Sequence, residues 1–352
     1  MKQLIAILTA FTILSCSAPT ENSEEKETVH EDSLDNIENT PKTVYNIGFY
    51  NVENLFDTKD DPATEDEWFL PTSETEWDNE KYNTKLNKLA KVIDAMNANP
   101  GGPDLIGLCE VENEAVVWDL AQQADLLPNV YEVVHFESPD TRGIDVAAMY
   151  DPDKFELIDK QSIEVYMPED PNIKTRDILY CQFEAMATGE IVHFYVNHWS
   201  SRRKGKEATS FKRENCAAAL LDDITTYIAD WETANIIIVG DMNDYPMDIS
   251  MTEVLGADKP DSDAAFWNIQ YNNHKNGLGT YNHQGEWGCL DNVIVTPVVY
   301  DKLIDKDAKI LKEEWMLYTN GDGEAYPDKT YGGPNYYGGY SDHLPVYFEV
   351  EL

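Results

Sequence analysis

From Val44 to Val52 apolar and polar positions alternate and then merge into an apolar run, which predicts a first strand ending in Glu53-Asn54-Leu55-Phe56. Between Lys81 and Met96, Leu86, Leu89, Val92, Ile93 and Met96 fall at helical spacing, and Pro100-Gly101-Gly102-Pro103 ends that helix. Asp104 to Cys109 reads as a buried strand entering Glu110-Val111-Glu112-Asn113, with a short helix following toward Leu127. Strands are predicted at 131–136, 144–150, 155–165, 178–187 and 190–197. Residues 206–230 read as a helix with Ala217, Leu220, Leu221, Ile224 and Ile228 on one side. Asn235 to Gly240 is apolar enough to be buried on both faces, and late strands fall at 290–296 and 344–350. There is no internal repeat. Such a β-rich pattern with few helices is satisfied by two sheets face to face with helices outside.

The first 42 residues follow other rules. Met1-Lys2-Gln3, the apolar run Leu4 to Leu14 and Ser15-Cys16 have the form of a secretory leader. Ile13-Leu14-Ser15-Cys16 resembles a bacterial lipobox, which implies that Cys16 is lipidated and becomes the mature N-terminus; an ordinary signal peptide with a chance cysteine is the alternative. Residues 17–42 are polar and acidic with little to bury, and read as a disordered tether. Ser17, where an aspartate would suggest inner-membrane retention, points to an exported chain anchored by lipid in the outer membrane or at the cell surface. Residues 43–352 are left for a single domain.

Composition narrows the chemistry. A hydrophobic share of 42% supplies a core, and no apolar stretch after the leader reaches the ~20 residues of a membrane span. The formal charge of -40 argues against broad electrostatic capture of nucleic acid, and fits clustered carboxylates that hold a hard cation. Most of those acids read as solvated surface. Cys109, Cys181, Cys216 and Cys289 lack the close pairing of a zinc site and read as buried free thiols, with disulfides open to them after export.

Polar, metal-competent residues recur at the C-terminal ends of the predicted strands: Asn51, Glu110, Asn197-His198, Asp241 with Asn243, Asp291, and Asp342-His343. Strand ends are where a rigid scaffold converges side chains on one mouth. Cleavage of a phosphodiester needs these residue types. A hard cation binds and neutralises the anionic phosphate, a base aligns the water, and histidines donate to the phosphoryl oxygens. Each residue has a plainer reading. Asn51 could be a satisfied strand-end amide, Glu110 a helix-start carboxylate, His198 a ring packed on Trp199, and Asp241-Met242-Asn243-Asp244 a turn. Asp291 could cap a strand turn, and Ser341-Asp342-His343 could be a loop held by Pro345.

Taken together and in order, six segments resemble the endonuclease/exonuclease/phosphatase superfamily, the deoxyribonuclease I-like proteins. They are Tyr50 to Asp57, Leu108 to Asn113, Asn197 to Arg202, Gly240 to Asp244, Leu290 to Val293 and Ser341 to Pro345, with Gly279-Thr280-Tyr281 also similar. The resemblance covers residues 44–352. It implies an α+β four-layer α/β/β/α sandwich with one open cleft, and divalent-metal-dependent phosphoester hydrolysis. It implies Glu110 as principal ligand of Mg²⁺ (or Mn²⁺, with Ca²⁺ open), beside Asn51 and Asp342. Asp241 and Asn243 would align the water, with Asp241 the base. His343 would bond the phosphate, oriented by Asp291, and His198 would contact it from the other side.

The basic cluster Arg202-Arg203-Lys204-Gly205-Lys206, continued by Lys212-Arg213, follows His198 and reads as a phosphate-binding rim or as a solvated loop and helix start, with Arg202, Arg203 and Lys204 the substrate-binding candidates. Arg142 and Arg176 are weaker candidates, and Asp145 is a candidate orienter of His198. Tyr326, Tyr331, Tyr336, Tyr337 and Tyr340 crowd a Gly-rich loop and read first as loop packing, with base stacking open. The expected function is a nuclease on extracellular DNA or RNA, so nucleic acid is the expected partner and no protein partner is implied. The alternatives are a phospholipid phosphodiesterase or phosphomonoesterase, and an inactive binding lipoprotein.

Overall fold

The computed structural model describes residues 43–352; Cys16, the leader and the tether at 17–42 lie outside the described residues. The first half of the domain runs β1 (Val44–Leu55), α1 (Asn79–Asp94), β2 (Leu105–Val111), α2 (Glu114–Ala121), β3 (Glu132–His135) and β4 (Asp145–Tyr150). It continues through β5 (Phe155–Ile163), β6 (Ile178–Ala185), β7 (Ile191–His198), α3 (Ser210–Tyr227) and β8 (Asn235–Asp241). Shorter pieces follow: β9 (Ala257–Asp258), β10 (Phe266–Asn268), α4 (Tyr271–Lys275), β11 (Tyr281–His283), β12 (Glu286–Gly288) and β13 (Asp291–Val295). The chain ends with α5 (Pro297–Lys302), β14 (Lys309–Ile310), the hairpins β15 (Leu317–Thr319) with β16 (Ala325–Pro327) and β17 (Tyr331–Gly332) with β18 (Asn335–Tyr336), and β19 (Val346–Glu351).

The predicted strands and helices are present with shifted ends. The predicted helix at 206–230 opens as a 3-10 turn at Glu207–Thr209, and Ile228 has already turned to extended backbone. The helix after Asn113 stops at Ala121, short of Leu127. Helix α1 starts two residues earlier than its apolar pattern because Asp78 caps it, accepting from the backbone N–H groups of Glu80 and Lys81. Beyond residue 250 only β13 and β19 were predicted; the other short elements escaped prediction because two to six residues are too few to display a period.

One sheet has the order β14-β19-β1-β2-β4-β3 and the other β5-β6-β7-β8-β13-β10-β9. Three apolar clusters separate four layers. Phe49, Cys109, Phe194 and Val239 lie between the sheets. Leu86, Ile93, Ile106 and Val116 join the first sheet to α1 and α2. Leu220, Ile224, Ile236 and Ile238 join the second sheet to α3. The fold is therefore the α/β/β/α sandwich. Strand β8 explains its own composition: Ile236 and Ile238 face the helix while Ile237 and Val239 face the other sheet, so no position is left for a polar residue. Gly107 lets the sheets approach, since a Cβ there would sit 2.9 Å from a methyl of Val239. The four cysteines of the domain are free and buried. No described helix is long and apolar enough to cross a membrane.

Where β1 meets the loop before β2, Asp104 accepts from the N–H of Asn46 at 2.7 Å, and burial raises its pKa above the ordinary carboxylate value. The folded state thus holds this proton more tightly than the unfolded chain. Its contribution to stability is full below the unfolded pKa and is lost as pH rises through the folded value. Asp104→Asn keeps an acceptor and removes the buried charge. Its melting temperature, relative to the parent, is expected to improve from pH 4 to pH 8; a flat difference across that range would contradict this.

Candidate active site

Two slips in strand register build one side of the site. Pairing between β1 and β2 shifts after Asn51, and pairing between β2 and β4 shifts between Cys109 and Val111. Leu108 and Val111 both face α1, three residues apart, so Glu110 is the extra residue of a bulge. Its φ is 65°, and Glu53 and Asn54 on β1 have φ of 50° and 54°. Left-handed backbone at such residues costs of order 1–3 kcal/mol each. In return Glu110 leaves the alternation and faces the cleft at the strand ends.

Strands β1 and β2 run parallel, as do β7 and β8, and their C-terminal ends meet. Asn51 spans the two sheets, its amide donating to Asp241 Oδ2 at 3.1 Å and to Glu110 Oε1 at 3.4 Å. The Asn51 carbonyl accepts from the N–H of Glu53 at 3.0 Å. Asn51 thus presents a donor, not its oxygen, to the carboxylates. Glu110 Oε2 accepts from the N–H of Asn54 at 3.0 Å, and Asp241 Oδ1 from the N–H of Asn243 at 2.9 Å. The side chain of Asn243 donates to Trp199 O at 3.1 Å.

Two histidines face these carboxylates in opposite electrostatic settings. His343 Nδ1 lies 2.7 Å from Asp291 Oδ2, while its Nε2 lies 3.8 Å from Asp241. Burial alone would push this ring down, but Asp291 and Asp241 outweigh it and hold the pKa well above the ordinary value. An imidazolium here can donate from both nitrogens. His198 Nε2 lies 3.7 Å from both Glu110 and Asp241, and its buried Nδ1 has no partner among the described residues. Burial, then Arg176 and Arg142, pushes His198 well below the ordinary value, which favours the uncharged ring. Burial raises Asp241 to about 7, with His343 opposing and Asp291 adding. Asp342 is raised to about 7 by burial and then by Glu53.

The structure gathers Glu110, His198, Asp241, Asn243, Asp342 and His343 around one cleft of about 830 Å³. Asn51 and Asp291 stand behind it as hydrogen-bond partners. The donor chemistry suits a hard divalent cation. Glu110 and Asp342 both open on the cleft, and the burial that chiefly raises Asp342, with Glu53 adding, disfavours a negative charge that a cation would offset. Asp241, Asp291 and His343 also offer ligand atoms within 4.8 Å of one another, with His343 Nδ1 on Asp291 Oδ2 and the buried Asp291 Oδ1 left without a partner among the described residues. Glu110, Asp241 and Asp342 are the carboxylates that open on the cleft.

The basic residues divide. Arg202 donates to Asn243 O, to Asp248 at 2.9 Å and to Asp244 at 3.2 Å, and it stacks over Tyr245. It braces the loop that carries Asn243 and also lines the cleft, its charge shared with Asp244 and Asp248. Lys206 likewise pairs with Asp248 at 2.6 Å. Arg203 is exposed and lines the cleft, whereas Lys204 is exposed but not among the lining residues. Arg142 lines the cleft with its side chain 43% exposed. Arg176 is buried against Asp140 at 2.9 Å and donates to the carbonyls of His198 and Trp199, which fixes the end of β7. Asp145 does not reach His198: it lies 3.0 Å from His135 Nε2, because both sit on neighbouring strands of the first sheet.

Sequence reasoning missed Glu53, Lys85 and Tyr245. Buried Lys85 lies 3.6 Å from buried Glu53 behind Asp342, a pairing between a helix and a strand that no spacing announces. Tyr245 follows Asp241-Met242-Asn243-Asp244 directly, and that position was the available signal.

The sequence model of the Endonuclease/Exonuclease/phosphatase family matches residues 46–352. No curated protein matches the chain. Among solved structures, an endonuclease/exonuclease/phosphatase family protein of Bacteroides thetaiotaomicron is similar at 16% identity and TM-score 0.54, covering 88% of this chain and 98% of that one. A mannosyl-6-phosphatase of Bacteroides thetaiotaomicron is similar at 17% identity and TM-score 0.53, covering 86% and 98%. Humanized D. rerio TDP2 is similar at 16% identity and TM-score 0.53, covering 88% and 99%. These likenesses concern the fold; the sequence match extends through every segment that supplies the cleft, and the chain belongs to the endonuclease/exonuclease/phosphatase family of phosphoester hydrolases.

Proposed function

We propose that this protein is a Mg²⁺-dependent phosphodiesterase, a nuclease acting on DNA or RNA outside the cell. The observation that carries the reading is the His343–Asp291 pair opening onto Asp241, Glu110 and Asp342 in one cleft. Glu110 and Asp342 hold the ion, which neutralises phosphate charge when bound. Asp241, held in place by Asn51 and the Asn243 N–H, aligns the attacking water. His343 donates to the phosphoryl oxygens, and neutral His198 contacts the phosphate from the other side. Mn²⁺ suits the same oxygen donors, and Ca²⁺ is the weaker substitute. The short basic rim of Arg203 and of Arg142, which pairs with Asp140 at 3.6 Å, favours strand ends or short single strands over long duplexes.

The test is product analysis on plasmid DNA, single-stranded DNA, RNA, sphingomyelin vesicles and a sugar phosphate, each with Mg²⁺ and with EDTA. Metal-dependent cleavage of nucleic acid supports the reading. Cleavage of lipid or monoester alone replaces it with the corresponding esterase, and no turnover on any substrate favours a binding lipoprotein.

The rim makes a sharper expectation. Arg203→Ala is expected to raise KM several-fold with kcat held, as lost phosphate contacts do. Arg202→Ala, which breaks pairs to Asp244 and Asp248, is expected to cost about 1 kcal/mol of stability in thermal melts. Lys204→Ala should change neither. The reverse assignment of the two arginines would refute this division.

Cys16 is the proposed lipid anchor, on the strength of the leader sequence. Labelling with a fatty-acid analogue is expected in the parent and absent in Cys16→Ser; equal labelling would dismiss the anchor.

A further inference from the structure

A second cavity of about 680 Å³ adjoins the cleft and shares Tyr281 and Asp342 with it. That volume is in the range of about 300–1,000 Å³ typical of small-molecule sites. Its wall comes from the β15–β16 and β17–β18 hairpins. The tyrosines of this region separate into two groups. Tyr331 packs on Trp77 and Tyr340 on Trp315, as loop packing predicts. Tyr318, Tyr326, Tyr336 and Tyr337 line the cavity, Tyr336 also meeting the Tyr331 ring at 5.2 Å, and Tyr318 and Tyr337 are 56% and 59% exposed.

The wall is fixed to the catalytic scaffold. Thr330 donates its N–H to Glu53 at 2.6 Å, and Lys85 donates to Thr330 Oγ1 at 2.6 Å and to Tyr340 O at 2.8 Å. At the neck, the Tyr281 ring lies 4.9 Å from that of His343. A group attached to a phosphate at His343 therefore has this cavity as its neighbour.

The lining selects the chemistry of that group. No leucine, isoleucine, valine or phenylalanine lines the cavity, which disfavours an acyl chain. The amides that would read sugar hydroxyls are occupied. Asn282 bonds Ala325 O and the N–H of Gly285, and Asn320 bonds Glu324 and the N–H of Asp322. Beside the charged Asp328 and Lys329, the wall offers π-faces, which stack any planar base without reading its edge.

We infer that the tyrosine-lined cavity is a base-stacking subsite that holds the nucleobase of the nucleotide next to the scissile phosphate. The inference rests on the phosphodiesterase reading for the identity of its neighbour, but its test does not use turnover. Adenosine, ribose and mannose contain no phosphoester, so binding to the Mg²⁺-containing protein can be titrated by saturation-transfer NMR without hydrolysis. Adenosine is expected to bind about tenfold or more tighter than either sugar, as stacking requires. The double variant Tyr318→Ala/Tyr337→Ala, at two exposed positions outside the reaction cleft, is expected to erase that preference with an unchanged circular dichroism spectrum. Sugar binding as tight as adenosine, no binding of adenosine, or adenosine binding indifferent to the double variant would each overturn the subsite. The substrate panel above decides the phosphodiesterase reading separately, so the two can fail independently.

Discussion

Replacing His343 by alanine is expected to cost on the order of hundredfold or more in turnover, the usual loss when a transition-state donor is removed. The ring is held between Asp291 at 2.7 Å and Asp241 at 3.8 Å, with Nε2 turned toward the cleft. On the proposed reading, Asp291 fixes the ring's orientation and favours its charged form, so that phosphoryl oxygens would meet a donor already in place. Asp291→Asn leaves the ring but loses that charge, and is expected to cost less than His343→Ala. The double variant should be little worse than His343→Ala, because the two side chains act as a unit. Single-turnover cleavage at saturating Mg²⁺, with circular dichroism as the folding control, measures all three. Full cleavage by His343→Ala would remove this residue from the chemistry while leaving the fold untouched.

Stripping the divalent ion is the other large effect. EDTA is expected to abolish hydrolysis, and added Mg²⁺ or Mn²⁺ to restore it. Glu110→Gln is expected to weaken metal affinity about tenfold or more, since even partners behind a ligand are worth about that much. Folding should be spared, because the Glu110 side chain is 15% exposed at the cleft mouth and its strand is held by flanking apolar residues. A second variant separates charge from backbone. Glu110→Gly removes the ligand but relaxes a backbone held at φ 65°, so it should be inactive without loss of melting temperature. Calorimetric titration of Mg²⁺ into each variant is the measurement. Unchanged affinity in Glu110→Gln would transfer the ion to the Asp241 side of the cleft.

The layers of this protein are written in its apolar periods. Leu86, Leu89 and Ile93 recur at helical spacing because only one side of α1 meets a sheet, and Ile236 to Val239 are continuous because both sides of β8 are covered. Asn51, Glu110, His198 and Asp241 were legible as candidates for the same reason: each is a polar break near the end of a buried strand, whereas Asp342 stands just before β19. Partnership was not legible. Asn51 meets Asp241 across 190 positions and His343 meets Asp291 across 52, distances at which spacing carries no information. Nor could composition tell a free cation from a spent one. Arg202 looks like a phosphate ligand until Asp244 and Asp248 are found beside it, and Asp145 looks available to His198 until His135 is found on the adjacent strand. Likewise five tyrosines in one loop divide into packing and cavity-lining sets only once Trp77 and Trp315 are in place. A period records which face of an element is buried, a property of one segment in an averaged environment. Which charge or ring neutralises or covers another depends on segments brought together by the closing of the sandwich, and that only the tertiary structure decided.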